Sequence, residues 1–584
     1  MSAAWGARLR RVLALLLVLP VAFALLALAR RAKLERADFV FNNGNEVSSL
    51  DPTTVSGQSE GRVVSALFEG LTVKHAETLA PLPGVAEAWE VSRDGLGYTF
   101  HLRAARWSNG DELNSEDFVW SWRRLLEPET AAPYAHLLWC VRGAEEYSRA
   151  EPDSAERAAL WPEVGIRARD ASTLEVELEH PTPYFLALTS FHPLYPVHRA
   201  SLAHFQQRFP ERWQSEWIRP GHLVSNGPYK LRDRRVNDRL RLVKNPEYWD
   251  ARAVAFQTID VLAVEHAGTA LNLYLAGEVD WLDRVPAQLV PHLRARPDFE
   301  PAPYLATYFY RVNTTRPPFD DRRVRRALAL AIDRRALCDK ILQKGERPSW
   351  SLTPLGLAGY PRPEMAHTSV AADSSDHEAA LAKDREEARA LLAATGFGRE
   401  RPFPALEILF NTSETHRDLA EVIAAGWSSA LGIEVKLANQ EWKSTLDSQQ
   451  NLRYDVSRSS WIGDYADPNT FLETFVTGGE NNRTGWGNAR YDELVAEAAR
   501  EGDPARRMEL LAEAEALLLE DLPILPIYGY VSQNLVNPRL GGFFANVQDE
   551  HPMKFWHWKS TGGKEEGPGW SPAVPGERTH EEAR

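Results

Sequence analysis

The sequence predicts a mixed α/β protein of more than one domain. Three observations carry this. The chain has 584 residues, too many for one ordinary core. Stretches with apolar residues at helical spacing, each preceded by a capping residue, recur along it. Between them lie short alternating stretches of strand type.

The elements follow in order. Val12 to Ala29 is an uninterrupted apolar run flanked by Arg8, Arg10 and Arg11 before it and Arg30, Arg31 and Lys33 after it. It reads as a secretory signal or as an uncleaved membrane anchor, and the basic residues directly behind it favour retention. No cysteine follows it, which excludes a lipid attached at that point. Phe39 to Leu50 alternates weakly and reads as a strand entering a turn at Asp51-Pro52. Asn114 or Ser115 can cap a helix with Phe118, Trp122 and Leu125 on its apolar face. Thr173 to Leu178 and Leu240 to Val243 read as strands. Asp320 or Asp321 caps a helix carrying Val324, Leu328, Ile332 and Leu337 along one face. Pro361 to Asp376 reads as a surface loop. Asp503-Pro504 opens a third helix that ends near Leu522-Pro523. Residues 560–584, rich in Gly, Pro and Glu, read as a disordered tail.

Composition excludes more than it selects. Lys plus Arg is 67 against 81 Asp plus Glu, a net charge of −14, which makes the chain a poor nucleic-acid binder. Its 19 tryptophans supply extra core or flat walls for a ligand. The two cysteines, Cys140 and Cys338, both sit in apolar helical contexts and are expected to be buried free thiols. There is no metal-ligand spacing such as C-x-x-C or H-E-x-x-H, and no cofactor is expected.

The run YDVSRSSWIGDYADPNTF, Tyr454 to Phe471, is the candidate site. Tyr454, Val456 and Arg458 alternate like a strand that Gly463 and Pro468 then break. Arg458, Trp461 and Asp464 offer a cation, an aromatic and an anion. Such a set suits a free peptide, whose ammonium needs a carboxylate, whose carboxylate needs a guanidinium, and whose backbone can lie along a strand edge. Read alone, it is more simply an Arg–Asp surface pair beside a core Trp.

That run resembles a segment of the oligopeptide-binding proteins serving ABC importers, solute-binding protein family 5. The resemblance extends from about Phe39 to Trp558 through NNGNEVSSLDPTT, LFEGL, RWSNGDELNSEDFVWSWRRLLEPETAAPYAHLL, NGPYKL, NPEYWD, LAGEVD, PPFDDRRVRRALALAIDR, NTSETHRD and NQEWK, in the family's order. It implies a two-lobed, hinged periplasmic-binding-protein fold with an extra subdomain in the first lobe. Residues 1–36 would be the signal or anchor. The first lobe would be 37–305, with its extra subdomain at about 69–193, completed by 532–559, and the second lobe 306–531. The two chain crossings would fall near Pro303 to Tyr310 and near Pro526 to Ser532.

The resemblance also implies roles. Asp464 would receive the peptide ammonium. Arg458 and His416 would face its carboxylate, His416 as a pH-dependent cation. Tyr134, Trp442 and Trp461 would be walls. Backbone groups at Ala306, Ser460 and Ile462 would pair with the ligand backbone. Family members carry carboxylates where this chain has Arg311 and Ser56, so Arg311 could shift selectivity toward acidic ligands if it faces the cleft. The implied protein is a monomer that binds short peptides outside the cytoplasmic membrane and delivers them to ABC permease subunits. A tethered peptide sensor, or a binder of a non-peptide anion, is the alternative on the same fold. The rival from another class is an enzyme. Gly57 to Gly61 matches G-x-S-x-G, but Pro52-Thr53-Thr54 precedes it where a nucleophile elbow needs a buried strand.

Overall fold

A computed structural model describes residues 35–560, apart from 153, 366–375, 399 and 480. The apolar run at 12–29, the tail from 561 on, and most of the expected 361–376 loop therefore lie outside the described residues. Among the described residues no helix is long and apolar enough to cross a membrane.

The elements used below are β1 (Phe39–Asn42), α1 (Gln58–Leu67), α2 (Ser115–Leu126), β2 (Phe299–Val312), β3 (Leu406–Asn411), α3 (Glu414–Leu431), β4 (Val456–Ile462), α4 (Pro504–Asp521) and β5 (Ile524–Val536). The cap signals locate the helices well. Asn114 accepts the amide of Glu116, and Asp117 reaches back to the Asn114 amide, a complete capping box. Asp503 caps α4, with Pro504 in its first turn, and Leu522 ends it in the left-handed region at φ 52°. Asp321 caps Arg322–Leu330, but that helix is shorter than its apolar face implied. Asp333 accepts the Ala336 amide and starts a new turn at Arg334, so Leu337 belongs to a separate helical segment. The first strand is also shorter than expected and stops at Asn42, two residues before Gly44 turns at φ 77°.

Two groups of buried side chains lie at opposite ends of one long mixed sheet. The first surrounds β1 with Phe41, Trp281 and Trp556. Beside it, a separate antiparallel sheet runs Ala86–Val91, Gly97–Leu102, Thr173–Glu177, Ile166–Asp170, and α2 supplies Phe118, Trp122 and Leu125 to the same core. The second group flanks the other end of the sheet on both faces. Tyr308, Tyr310 and Trp427 pack on one face, and Phe309, Phe475 and Leu518 on the other. Alternation along β2 sends its odd and even residues to opposite faces. This is the two-lobed fold with an added sheet in the first lobe.

β2 and β5 are the longest strands and run antiparallel from one group to the other. Their register jumps from Pro303↔Val531 to Thr307↔Gly529, so the ladder is interrupted midway. There the Leu305 amide donates instead to Val547 at 2.6 Å. A pair of strands with a broken ladder between two cores can absorb the dihedral change of a hinge.

Several sequence blocks meet as buried polar clusters. Arg124 grips Asp51 with two hydrogen bonds of 3.0 and 2.5 Å, joining LDPTT to SWRRLL. Glu69 of LFEGL accepts from Trp249 at 2.6 Å, from Tyr248, and from Lys554 at 3.3 Å. Removing one partner of such a buried pair strands a charge and typically costs about 3–5 kcal/mol. Cys140 and Cys338 are buried free thiols, and burial pushes the Cys140 thiol up to about 12.

Candidate functional site

The cavity of interest, about 490 Å³, opens where the two cores approach each other. Its walls come from the start of α1, from Tyr134, from Phe191 and His192, from Tyr304 and Leu305 beside the broken ladder, from Ile462 to Asp464, and from residues 548–553. No single stretch of sequence encloses it.

Asp464 is placed by a tight turn at the end of β4. The Gly463 amide donates to the Leu305 carbonyl at 2.8 Å, and a Cβ at 463 would come within 2.8 Å of the Leu305 side chain and 2.9 Å of Thr470 Cγ2. Only glycine permits that approach. The Asp464 amide then donates to Thr470 Oγ1 at 3.2 Å. The Asp464 carboxylate reaches solvent within the cleft and has no ion pair among the described residues. The surrounding walls desolvate it and raise its pKa, and His136 nearby opposes the rise only in part. Across the cavity, burial first and the Asp464 charge second raise the Tyr134 phenol, whose hydroxyl donates to the Ser56 carbonyl at 3.5 Å. The carboxylate is thus a desolvated hydrogen-bond acceptor at the cavity wall.

Arg458 makes a different site at the other end of β4. Its guanidinium lies 4.8 Å over the Tyr308 ring and donates to Asn411 at 3.3 Å, Ser460 at 3.1 Å and Tyr530 at 3.3 Å. All these partners are neutral, and Nε is buried without a partner. His416 lies against Tyr308, its Nδ1 3.4 Å from the phenol oxygen. It also sits in the first turn of α3, where free amides favour an anion. Burial first and the Arg458 charge second push the His416 pKa down to about 4. The expectation of a second cation is thus corrected: at neutral pH His416 is a neutral hydrogen-bonding group, because a charged imidazole there would be both desolvated and repelled.

The register of β4 decides which expected residues can act together. Tyr310 opposes Arg458 and Thr307 opposes Trp461. Positions three apart on a strand lie on opposite faces, so Trp461 points away from Arg458 and packs half-buried against the Phe309 side of the second lobe. Trp461 is not a wall of this cavity, and neither is Trp442, which is exposed at the first turn of its helix. β3 pairs with β4 only at Ile408↔Val456 and Leu409↔Ser457. The Arg458 carbonyl accepts from Gln449 on that same side. By the two-residue period, the backbone groups of Ser460 and Ile462 also face this side, where β4 has no further strand partner among the described residues. The Ala306 backbone faces the opposite side, toward β5, as the Val312 amide does in donating to Pro523. A ligand strand beside β4 does not reach Ala306, which corrects that expectation.

Arg311 also departs from expectation. It is fully buried on the Phe309 face, 5.4 Å from the Phe309 ring and 5.3 Å from Phe475, and donates to Ser459 Oγ and the Asn481 carbonyl, each at 3.1 Å. Among the described residues it has no carboxylate partner, and it does not line the cavity. Burial lowers its pKa to about 10, so it stays charged as a structural group. Ser56, by contrast, does line the cavity.

The sequence reading missed Arg62, Lys74 and His192, of which Arg62 and His192 line the cavity and Lys74 pairs with the lining Glu550. Arg62 pairs with Asp283 at 3.1 Å and lies 4.6 Å from the Trp281 ring. Lys74 pairs with Glu550 at 2.6 Å. His192 is buried with its pKa pushed down to about 4. The first two have partners more than two hundred residues away, so no local spacing could disclose them. Ser59 of the G-x-S-x-G pentad is in the first turn of α1 and donates to the Asn43 carbonyl at 3.1 Å. It is not poised on a strand-to-helix elbow.

Residues 80–483 match the family described as bacterial extracellular solute-binding proteins, family 5. The periplasmic oligopeptide-binding protein OppA of Salmonella typhimurium is 37% identical over 517 residues, covering 87% of this chain and 90% of that protein. Among solved structures, the unliganded open form of the periplasmic murein tripeptide-binding protein MppA superposes with a TM-score of 0.77 at 34% identity, covering 90% of this chain and 98% of that one. Haemophilus influenzae OppA in complex with the peptide RPPGFSPFR gives 0.67 at 32% identity, covering 90% and 99%.

Proposed function

The chain belongs to family 5 of the bacterial extracellular solute-binding proteins, and from this membership and the cavity around Asp464 we propose that it captures short peptides between its two lobes and delivers them to an ABC importer. Asp464 takes the peptide ammonium. The observation that carries this is a cleft carboxylate that has no ion pair among the described residues and whose pKa is raised by desolvation. The peptide backbone runs along the free edge of β4 at Ser460 and Ile462, which reads every peptide alike. Arg458 takes the carboxylate, assisted by the neutral imidazole of His416 and the amides at the start of α3. Tyr134 walls the amino-terminal side chain, and Trp442 joins the wall only on closure.

In this reading the lobes are 37–305 with 532–559 and 306–531, and β2 and β5 serve as the hinge between them. The protein acts as a monomer on the outer face of the cytoplasmic membrane, partnered by permease subunits. Calorimetry with a tri- to pentapeptide library tests the reading. We expect binding of several peptides; no binding by any of them, alongside binding of a sugar or a metal complex, overturns it.

A further inference from the structure

The loop that carries Asp464 is anchored in the other lobe. Tyr465, the next residue, is 6% exposed and packs into the first-lobe core. Its ring stacks on Tyr184 with centroids 4.1 Å apart and planes 14° from parallel. Tyr184 follows the added first-lobe sheet in sequence and belongs to that lobe's packing. The Tyr465 hydroxyl donates to Glu473 at 3.2 Å and accepts from Asn469, also at 3.2 Å, while Asn469 donates to Glu473 at 2.9 Å. Arg507 of α4 closes the far side through two bonds to Asp467 of 2.6 and 2.9 Å. A seven-residue turn from the second lobe is therefore held on one side by its own lobe and on the other by an aromatic stack across the cleft.

We propose that Tyr184 and Tyr465 are positioning residues that hold the Asp464 turn against the first lobe in the open form, so that the amino-terminal subsite is complete before the lobes close. The inference rests on the reading of Asp464 as the ammonium acceptor. The Tyr134 wall and the Asp464 carboxylate come from different lobes, yet they already face the same cavity. An aromatic pair of this geometry contributes beyond its buried area and restricts the turn to one position. A peptide amino terminus then docks first, and closure brings the rest of the ligand onto Arg458. The stack serves the amino-terminal end alone, because neither tyrosine is a hydrogen-bond partner of Arg458, whose donors go to Asn411, Ser460 and Tyr530.

Two measurements on the full chain test this. In calorimetry, Tyr184→Ala should weaken trialanine about ten-fold and leave N-acetyl-trialanine within two-fold of the unaltered chain, with Tyr184→Phe restoring the ring and the affinity. Equal losses for the two peptides, or no loss for either, overturn the proposal. Hydrogen exchange without peptide supplies an independent reading. The amides of Asp464, Asp467 and Asn469, each bonded within the turn, should exchange at least ten-fold faster in Tyr184→Ala while those of α2 do not change. Unchanged exchange in the turn overturns the proposal whether or not any peptide binds. Absence of peptide binding by the unaltered chain, with faster exchange in the variant, leaves the stack standing and removes the peptide reading instead.

Discussion

The two ends of β4 are built differently. The Asp464 end is held by both lobes through a glycine turn, a stack on Tyr184 and a cavity already walled by Tyr134. The side-chain hydrogen bonds and ring contacts of the Arg458 end come from Tyr308, Asn411, His416, Ser460 and Tyr530, all on the second-lobe side, and the groups its guanidinium donates to are neutral. One end is thus contacted from both lobes, and the contacts of the other come from the second-lobe side. In a hinged binder the residues nearest the hinge can be pre-organised without blocking entry, whereas those farther along the cleft cannot.

The sharpest way to break this comparison is Asp464→Ala. It should weaken peptides with a free amino group by about 2–5 kcal/mol, the cost of truncating one partner of a desolvated charge pair, and leave N-acetylated peptides nearly unchanged. Calorimetry with the two peptide forms checks it; equal losses would make Asp464 structural. Arg458→Gln should act on the other terminus, costing free-acid peptides about 1–3 kcal/mol relative to their amides, and Arg458→Lys should restore only part because a point charge lacks the planar fork. If amides and acids suffer alike, the carboxylate does not sit there.

A smaller effect separates the ends by pH. The His416 pKa is depressed in the folded chain to about 4, below its ordinary 6.5. The unfolded chain therefore takes up a proton first as pH falls through 6.5, and the native state loses stability between about pH 6.5 and 4. His416→Gln should remove about 1–2 kcal/mol of that loss on going from pH 7 to 5, discounted for the partial exposure of the ring. Denaturant melts at the two pH values measure it, with His192, buried and equally depressed, contributing the same sign in both proteins. The smallest effect expected is that of Ser59→Ala. Loss of one buried hydroxyl bond should cost about 1 kcal/mol of stability and no peptide affinity, and the unaltered chain should resist a fluorophosphonate probe. Labelling at Ser59 would reopen the enzymatic alternative.

Much of the local architecture was legible. Asn114, Asp321 and Asp503 cap helices because their side chains compete for free amides within three residues, an interaction that sequence spacing alone specifies. The strands at Thr173 and Leu240 follow from their alternation, and the family follows from ordered blocks whose residues meet in buried clusters. Asp464 and Arg458 are legible as candidates for the same reason, since both sit in one continuous run. Their relation was not. Three-residue spacing looked like one cluster, but β4 carries Arg458 and Trp461 to opposite faces, and Asp464 lies beyond the turn at Gly463.

What the amino-acid sequence determined by itself is the set of short-range choices: caps, turns, alternation, the order of the family's blocks, and the presence of one anion and one cation in a candidate site. The tertiary structure decided everything that depends on partners far apart in the chain. It buried Arg311 between two phenylalanines instead of in the cleft, turned the Ala306 backbone toward β5, discharged His416 by burial beside Arg458, and set Tyr184 on Tyr465 across the lobes. The physical reason is range. A cap or a turn is settled by atoms a few bonds away, whereas the charge, exposure and company of a site residue are settled by whichever side chains the folded lobes bring against it.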